Sequence, residues 1–142
     1  MDQVLLDTDV IMDFFYDRKP FAEYASDVLN LCADGQINGF ITPVIISNTY
    51  YLLRKTAPHN FTIQRIKQLL TIVDVLSMNR NVVTQALESN FKDFEDALQN
   101  YSALEFGSIR IILTRNFKDF KNSELSVFTP QTYLNGRKAN ES

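Results

Sequence analysis

The sequence predicts an α/β fold, a three-layer α/β/α sandwich around a central, mainly parallel sheet. Short continuous runs of branched apolar residues, Val4-Leu5-Leu6 and Ile111-Ile112-Leu113, read as strands buried on both faces, the pattern of central parallel strands. Segments with apolar residues at helical spacing alternate with such runs, and right-handed crossovers then place helices on both sides of the sheet. The 142 residues contain no internal repeat, linker or low-complexity block. Their length suits one domain, assigned to residues 1–135 with a polar tail over 136–142.

The first strand stops at Asp7-Thr8-Asp9. Residues 10–16 read as a short helical turn, broken at Asp17-Arg18-Lys19-Pro20 because proline disfavours helix in the residue before it. Residues 21–33 carry Ala25, Val28, Leu29 and Cys32 at helical spacing and end at Asp34-Gly35. A second strand over 37–42 meets Pro43, which suits the first position of the helix running to residue 55. A helix over 61–72, a strand over 73–76 and a helix over 81–89 follow. The acidic run Asp93-Phe94-Glu95-Asp96 opens a helix that reaches Phe106 and closes at Gly107. Residues 109–114 form the fourth strand and 125–128 the fifth. A short helical turn over 130–134 precedes the polar tail, expected to be frayed.

The 45% hydrophobic and 22% charged fractions are those of an ordinary soluble globular protein. A net charge of -3 excludes a protein that holds nucleic acid chiefly through a broad basic surface. Nucleic-acid chemistry here has to work through bound cations or a local patch. Cys32, the single cysteine, lies in an apolar helical pattern and reads as a small core residue in a reducing compartment. The single histidine, His59, follows Pro58 in an expected loop, solvated; its solitude rules out a two-histidine nuclease mechanism and a His-rich metal site. No charged segment leads into a long apolar stretch, so neither a signal peptide nor a membrane span is expected, and the expected address is the cytoplasm.

The chemistry-bearing residues are acids. Asp7 ends a buried strand at the edge where open α/β sheets bind ligands, a costly place for a carboxylate unless a cation or hydrogen-bond donors meet it. Thr8 or Asp9 suits the N-cap of the next helix. Asp93 and Asp96 are three residues apart and share a helix face, which Asn100 continues. Asp93 equally suits a cap at the positive end of the helix, whereas Asp96 lies inside it, beside Ala97-Leu98. Asn116 and Asp119 form a third grouping, with a turn role as the alternative. Clustered carboxylates repel, a divalent cation removes that penalty, and carboxylate and amide oxygens are the ligands that Mg²⁺ and Mn²⁺ prefer.

Taken together, Leu5-Leu6-Asp7-Thr8-Asp9-Val10, Asp93-Phe94-Glu95-Asp96-Ala97-Leu98 and Thr114-Arg115-Asn116-Phe117-Lys118-Asp119-Phe120 resemble, in order and spacing, the motifs of PIN-domain proteins, the family that includes VapC-type toxins. The resemblance extends to Val127-Phe128-Thr129-Pro130, and the Thr-Arg-Asn-x-x-Asp-Phe element is its most specific part. It implies a ribonuclease that hydrolyses RNA phosphodiesters with a metal-activated water. Asp7 and Asp96 are then the principal ligands of Mg²⁺ or Mn²⁺, Asn116 a further ligand and Asp119 a supporting catalytic residue. Asp9 supports the same pocket and Asp93 lies at its rim. Arg115 and Lys118 are candidates for the RNA backbone. An antitoxin partner, docked on residues 10–33, and a homodimer are further implications.

The chain departs from this pattern where relatives usually carry a glutamate, in the helix after the second strand. Here that stretch is Val44-Ile45-Ile46-Ser47-Asn48-Thr49-Tyr50-Tyr51, with no acid, and Asn48 or Ser47 can still give a neutral oxygen. A PIN fold that binds a partner without cutting therefore stands beside the nuclease reading. Asp7-Thr8-Asp9-Val10 also fits the opening of haloacid-dehalogenase-type phosphatases, with Thr42 in place of their second motif. That fold further requires a lysine and an acidic pair directly after an apolar strand.

Overall fold

The computed structural model describes residues 1–141. Strands β1 (Gln3–Leu6), β2 (Asn38–Ile41), β3 (Val73–Val75), β4 (Ile111–Leu113) and β5 (Ser126–Phe128) form one sheet in the order β3-β2-β1-β4-β5. Every pairing is parallel. The central strand is β1, with Val4 opposite Gly39 on one side and Ile111 on the other. Its Val4, Leu5 and Leu6 are wholly buried, as are Ile112 and Leu113 of β4, which is why both strands read as unbroken apolar runs.

Helices α1 (Thr8–Phe15) and α2 (Phe21–Ala33) follow β1, and α3 (Pro43–Arg54) and α4 (His59–Leu69) follow β2. Helices α5 (Arg80–Glu88) and α6 (Phe94–Phe106) follow β3, while a single 3₁₀ turn, Phe117–Phe120, joins β4 to β5 before α7 (Pro130–Glu141). The first four helices pack on one another with α7 against α2, and α5 packs with α6. The chain moves from β1 to β3 in one direction and then returns to β4 on the other side of β1. Right-handed crossovers accordingly set α1 to α4 on one face and α5 with α6 on the other. Strand order reverses between β1 and β4, so a crevice opens there, outside the carboxyl ends of the strands.

Local chemistry sets the helix starts. Thr42 Oγ1 accepts from Ile45 N at 3.2 Å, with Pro43 at the first helical position of α3. Asn79 caps α5 in the same way. Gly107, at φ 96°, ends α6 in a conformation that side chains disfavour. Gly39 answers a different need: a Cβ there would lie 2.7 Å from Cys32 Sγ, so its absence lets α2 close on β2. Burial pushes the Cys32 thiol up to about 11.

Two expectations change. The segment from Gly136, expected as a polar tail, continues α7 to Glu141, and Ser142 lies outside the described residues. The helix is anchored at the opposite end of the chain: buried Tyr133 donates its hydroxyl to Asp2 Oδ2 at 2.6 Å, and Arg137 lies 3.9 Å from the same carboxylate. His59 opens α4 instead of sitting in a loop, and its Nδ1 pairs with the Tyr50 hydroxyl at 2.9 Å. Among the described residues, no helix is long and apolar enough to cross a membrane.

Candidate active site

Asp7 follows β1 directly and is the N-cap of α1, with φ -74° and ψ 161°. The cap expected at Thr8 or Asp9 thus falls one step earlier. Its Oδ1 accepts from Thr8 N at 2.7 Å and its Oδ2 from Thr114 Oγ1 at 2.8 Å. Its own N–H donates to Leu113 O at 3.1 Å, carrying the β1–β4 pairing one residue past the strands and into the crevice. Burial raises the carboxyl, the Thr114 and Thr8 hydrogen bonds oppose that rise, and the charge of Asp119 adds to it.

On the other side of the crevice, Asp93 is the N-cap of α6, its Oδ1 accepting from Asp96 N at 3.0 Å. The capping role anticipated for Asp93 is the one it has. Asp96 is buried, and its carboxyl is pushed up to about 8, first by burial and then by the charges of Asp7, Asp93, Asp119 and Glu95. The face continues through Gln99, three residues on, and not through Asn100. Gln99 is 1% exposed and lines the cleft, and its Oε1 has no hydrogen-bond partner. Asn100 turns aside to accept from Ser123 Oγ.

The crevice is a cleft of about 510 Å³ that brings together Asp7, Asp9, Asn48, Asp93, Asp96, Asn116 and Asp119. Asp9 Oδ2 accepts from Arg115 N at 3.0 Å, and burial together with the charge of Asp7 pushes its carboxyl up to about 7. Asn116 N donates to Thr114 Oγ1 at 3.0 Å, and Asp119 N to Asn116 O at 3.0 Å. The same threonine hydroxyl therefore organises both the end of β1 and the start of the 3₁₀ turn.

Two expected residues lie elsewhere. Arg115 is held by Asp13, with Nε at 2.6 Å from Oδ2 and Nη2 at 2.9 Å from Oδ1, and its guanidinium lies 4.0 Å from the centre of the Phe21 ring. The residue expected to position RNA is thus engaged in an ion pair with Asp13. Lys118 is exposed on the 3₁₀ turn, outside the cleft lining. Conversely, the cleft includes Glu95, Gln99, Arg18, Tyr51 and Lys55, none of which the sequence singled out. Gln99 was reachable from helical periodicity. The others are assembled by tertiary packing, as is the Asp13 partner of Arg115.

Among the described residues, no three His, Cys, Asp or Glu side chains already converge as metal ligands. Mg²⁺ usually keeps several waters and takes only one or two carboxylates. Asp7 and Asp96, with the amide oxygens of Asn116 and of Gln99, whose side chain also hydrogen-bonds Asp7 while its Oε1 has no partner, are an all-oxygen donor set suited to that ion or to Mn²⁺.

Residues 3–118 match the family profile of the PIN domain. The chain belongs to the PIN-domain family. Ribonuclease VapC1 of Aquifex aeolicus (strain VF5) is 26% identical over 137 residues, 93% of each chain. A toxin-antitoxin complex from Klebsiella pneumoniae matches with a TM-score of 0.66 at 20% identity, over 89% of this chain and 97% of that one. VapBC2 from Rickettsia felis, solved bound to a DNA fragment from its promoter, gives 0.65 at 14% identity, over 89% and 98%. At these identities the two structures speak for the fold alone, and the five-stranded parallel sheet is that of the PIN domain. Membership sets the phosphatase alternative aside, and so does the placement of Asp93 and Asp96, which come after α5 and not directly after a strand.

Proposed function

We propose that this PIN-domain protein is a divalent-metal-dependent ribonuclease, the toxin of a toxin–antitoxin pair, using Mg²⁺ or Mn²⁺. The observation that carries the reading is the convergence of Asp7 and Asp96, from opposite sides of the topological switch point, on one cleft where the charge of Asp7 raises the Asp96 carboxyl. The relative named a ribonuclease and the solved toxin–antitoxin complex support it. In this reading Asp7 and Asp96 hold the cation, with Asn116 and Gln99 completing the donor set. When bound, the cation supplies Lewis acidity toward the phosphate and lowers the pKa of water. Thr114 and the Thr8 N–H fix the two oxygens of Asp7. Asp93 fixes the first turn of α6, and with it the direction of Asp96.

The absence of a carboxylate in α3 favours a second reading, a PIN fold that binds without cutting. The two separate in one assay. Structured and unstructured RNA are incubated with the protein in Mg²⁺, Mn²⁺ or EDTA, with Asp7→Asn and Asp96→Asn in parallel. The nuclease reading expects cleavage that requires the cation and disappears in both variants. Absence of cleavage under every condition, or cleavage unaffected by the substitutions, overturns it in favour of the binding module.

A further inference from the structure

We infer that the pocket between the edge strand β3 and the C-terminal half of α6 is a binding site for a small alkylguanidinium cation. The pocket has a volume of about 370 Å³ and shares no lining residue with the acidic cleft. Asp74, Val75 and Ser77 line it from the strand side, and Ser102, Glu105 and Phe106 from the helix. Its volume is that of a small-ligand site. Glu105 stands nine residues beyond Asp96 on α6, about 14 Å along the helix axis, so the pocket and the carboxylates of the cleft are separate.

The polar groups of this lining are acceptors. Strand β3 pairs on one side only, and in a strand successive residues turn their backbone groups to opposite sides. Leu76 donates to Ile41 O of β2 at 2.8 Å, so Val75, one residue earlier, turns its N–H and C=O outward. That N–H is already taken by Asp74 Oδ1 at 2.8 Å. An extended peptide therefore finds no donor at Val75 with which to continue the sheet, and the outward carbonyl is left for a side-chain-like donor. Glu105 commits only Oε1 within the chain, accepting from Asn81 Nδ2 at 3.2 Å. Among the described residues, neither Asp74 nor Glu105 has an ion-pair partner. Ser102 points to a ligand independently of these acids: it is 2% exposed, it lines the pocket, and its Oγ has no hydrogen-bond partner. A buried hydroxyl left unpaired is costly, and a donor entering the pocket relieves that cost.

A guanidinium answers each of these features. It carries five N–H donors, no acceptor and a charge it does not lose in proteins. Carboxylates, carbonyl and hydroxyl can therefore all be met by one planar group. That plane is weakly hydrated and packs on aromatic surface, which Phe106 supplies. Its ring is 46% exposed and is held by Phe40, with centroids 4.9 Å apart and planes at 82°. The exposed side chain of Val75 offers apolar surface to the alkyl arm.

The test titrates butylguanidinium into the isotope-labelled full chain in EDTA and follows the amide chemical shifts, with N-butylurea, which has N–H donors without the charge, as the comparison. Saturable shifts of the Val75, Ser77, Ser102 and Glu105 amides are expected from the cation and not from the urea. Glu105→Gln, which retains an acceptor for Asn81, is expected to weaken the affinity about tenfold, the loss of one charged partner. Ser102→Ala is expected to weaken it by a smaller factor. Asp96→Asn is expected to leave it unaltered, which separates the pocket from the acidic cleft. Absence of saturable shifts at those four amides overturns the site. So does equal affinity in the wild type, Glu105→Gln and Ser102→Ala, or binding that is lost in Asp96→Asn.

Discussion

Asn48 Nδ2 donates to Glu95 Oε2 at 3.0 Å, joining α3 to α6 at the mouth of the cleft. The helix after β2 lacks the family's usual acid, and its amide instead tethers a carboxylate from the facing helix. Glu95 lines the cleft beside the Asp7–Asp96 donor set, and its charge acts on Asp96, so it stands as an outer carboxylate of the site; outer partners are worth about ten- to hundredfold in metal affinity. Glu95→Gln is expected to weaken Mn²⁺ binding, and Asn48→Ala, which only releases Glu95, to weaken it about tenfold. Calorimetric titration reads both, and unchanged affinity in the pair removes Glu95 from the site.

The ion pair between Asp13 and Arg115 is structural. Asp13 is 1% exposed on its side chain, and removing its bidentate partner leaves a buried charge with only Arg18 at 3.7 Å. Arg115→Ala is expected to cost about 3 kcal/mol in urea unfolding. Arg115→Lys is expected to recover little of it, since an ammonium cannot span both oxygens as the guanidinium fork does.

Acidity should stabilise the metal-free protein. Asp7, Asp9 and Asp96 all have carboxyls raised from 3.8, the latter two to about 7 and about 8. The folded state thus holds protons that the unfolded chain gives up. The stability these groups contribute is fully present below 3.8 and is lost as pH rises through about 7 and about 8. In EDTA, Tm is expected to fall between about pH 5 and about pH 8, less steeply in Asp96→Asn, and Mn²⁺ should restore it at the upper end. A Tm that climbs over that interval contradicts the assignment.

Close packing of α2 on β2 yields a coupled pair. In Gly39→Ala the new Cβ would stand 2.7 Å from Cys32 Sγ and 3.1 Å from Val73 Cγ1, an overpacking expected to cost about 1–3 kcal/mol. Combining it with Cys32→Ala removes the nearer clash, so the double variant should lose less than the sum of the singles in denaturant unfolding.

What the sequence revealed and what it hid follow from range. Strands β1 and β4 were legible because burial on both faces leaves an unbroken apolar run. As cleft residues, Asp7 was legible because it comes right after β1, Asn116 and Asp119 because they lie in the short turn after β4, and Asp96 because helical spacing pairs it with Asp93. The ion pair of Arg115 was hidden because its partner, Asp13, sits 102 residues away on the buried side of α1, a pairing that no local pattern encodes. The helix through Gly136 was hidden for a similar reason: its composition is polar, and the Tyr133–Asp2 hydrogen bond that anchors it spans 131 residues. Tyr51, Lys55 and Arg18 line one cleft through the packing of α1 on α3, which includes the Tyr16–Leu52 hydrogen bond.

The most direct test of the account is a calorimetric titration of Mn²⁺ into the wild-type protein and into Asp7→Asn and Asp96→Asn. The Asp7–Asp96 cleft predicts saturable binding at one class of site, lost or greatly weakened in each variant. Binding of equal strength in all three proteins, or none in the wild type, would contradict it.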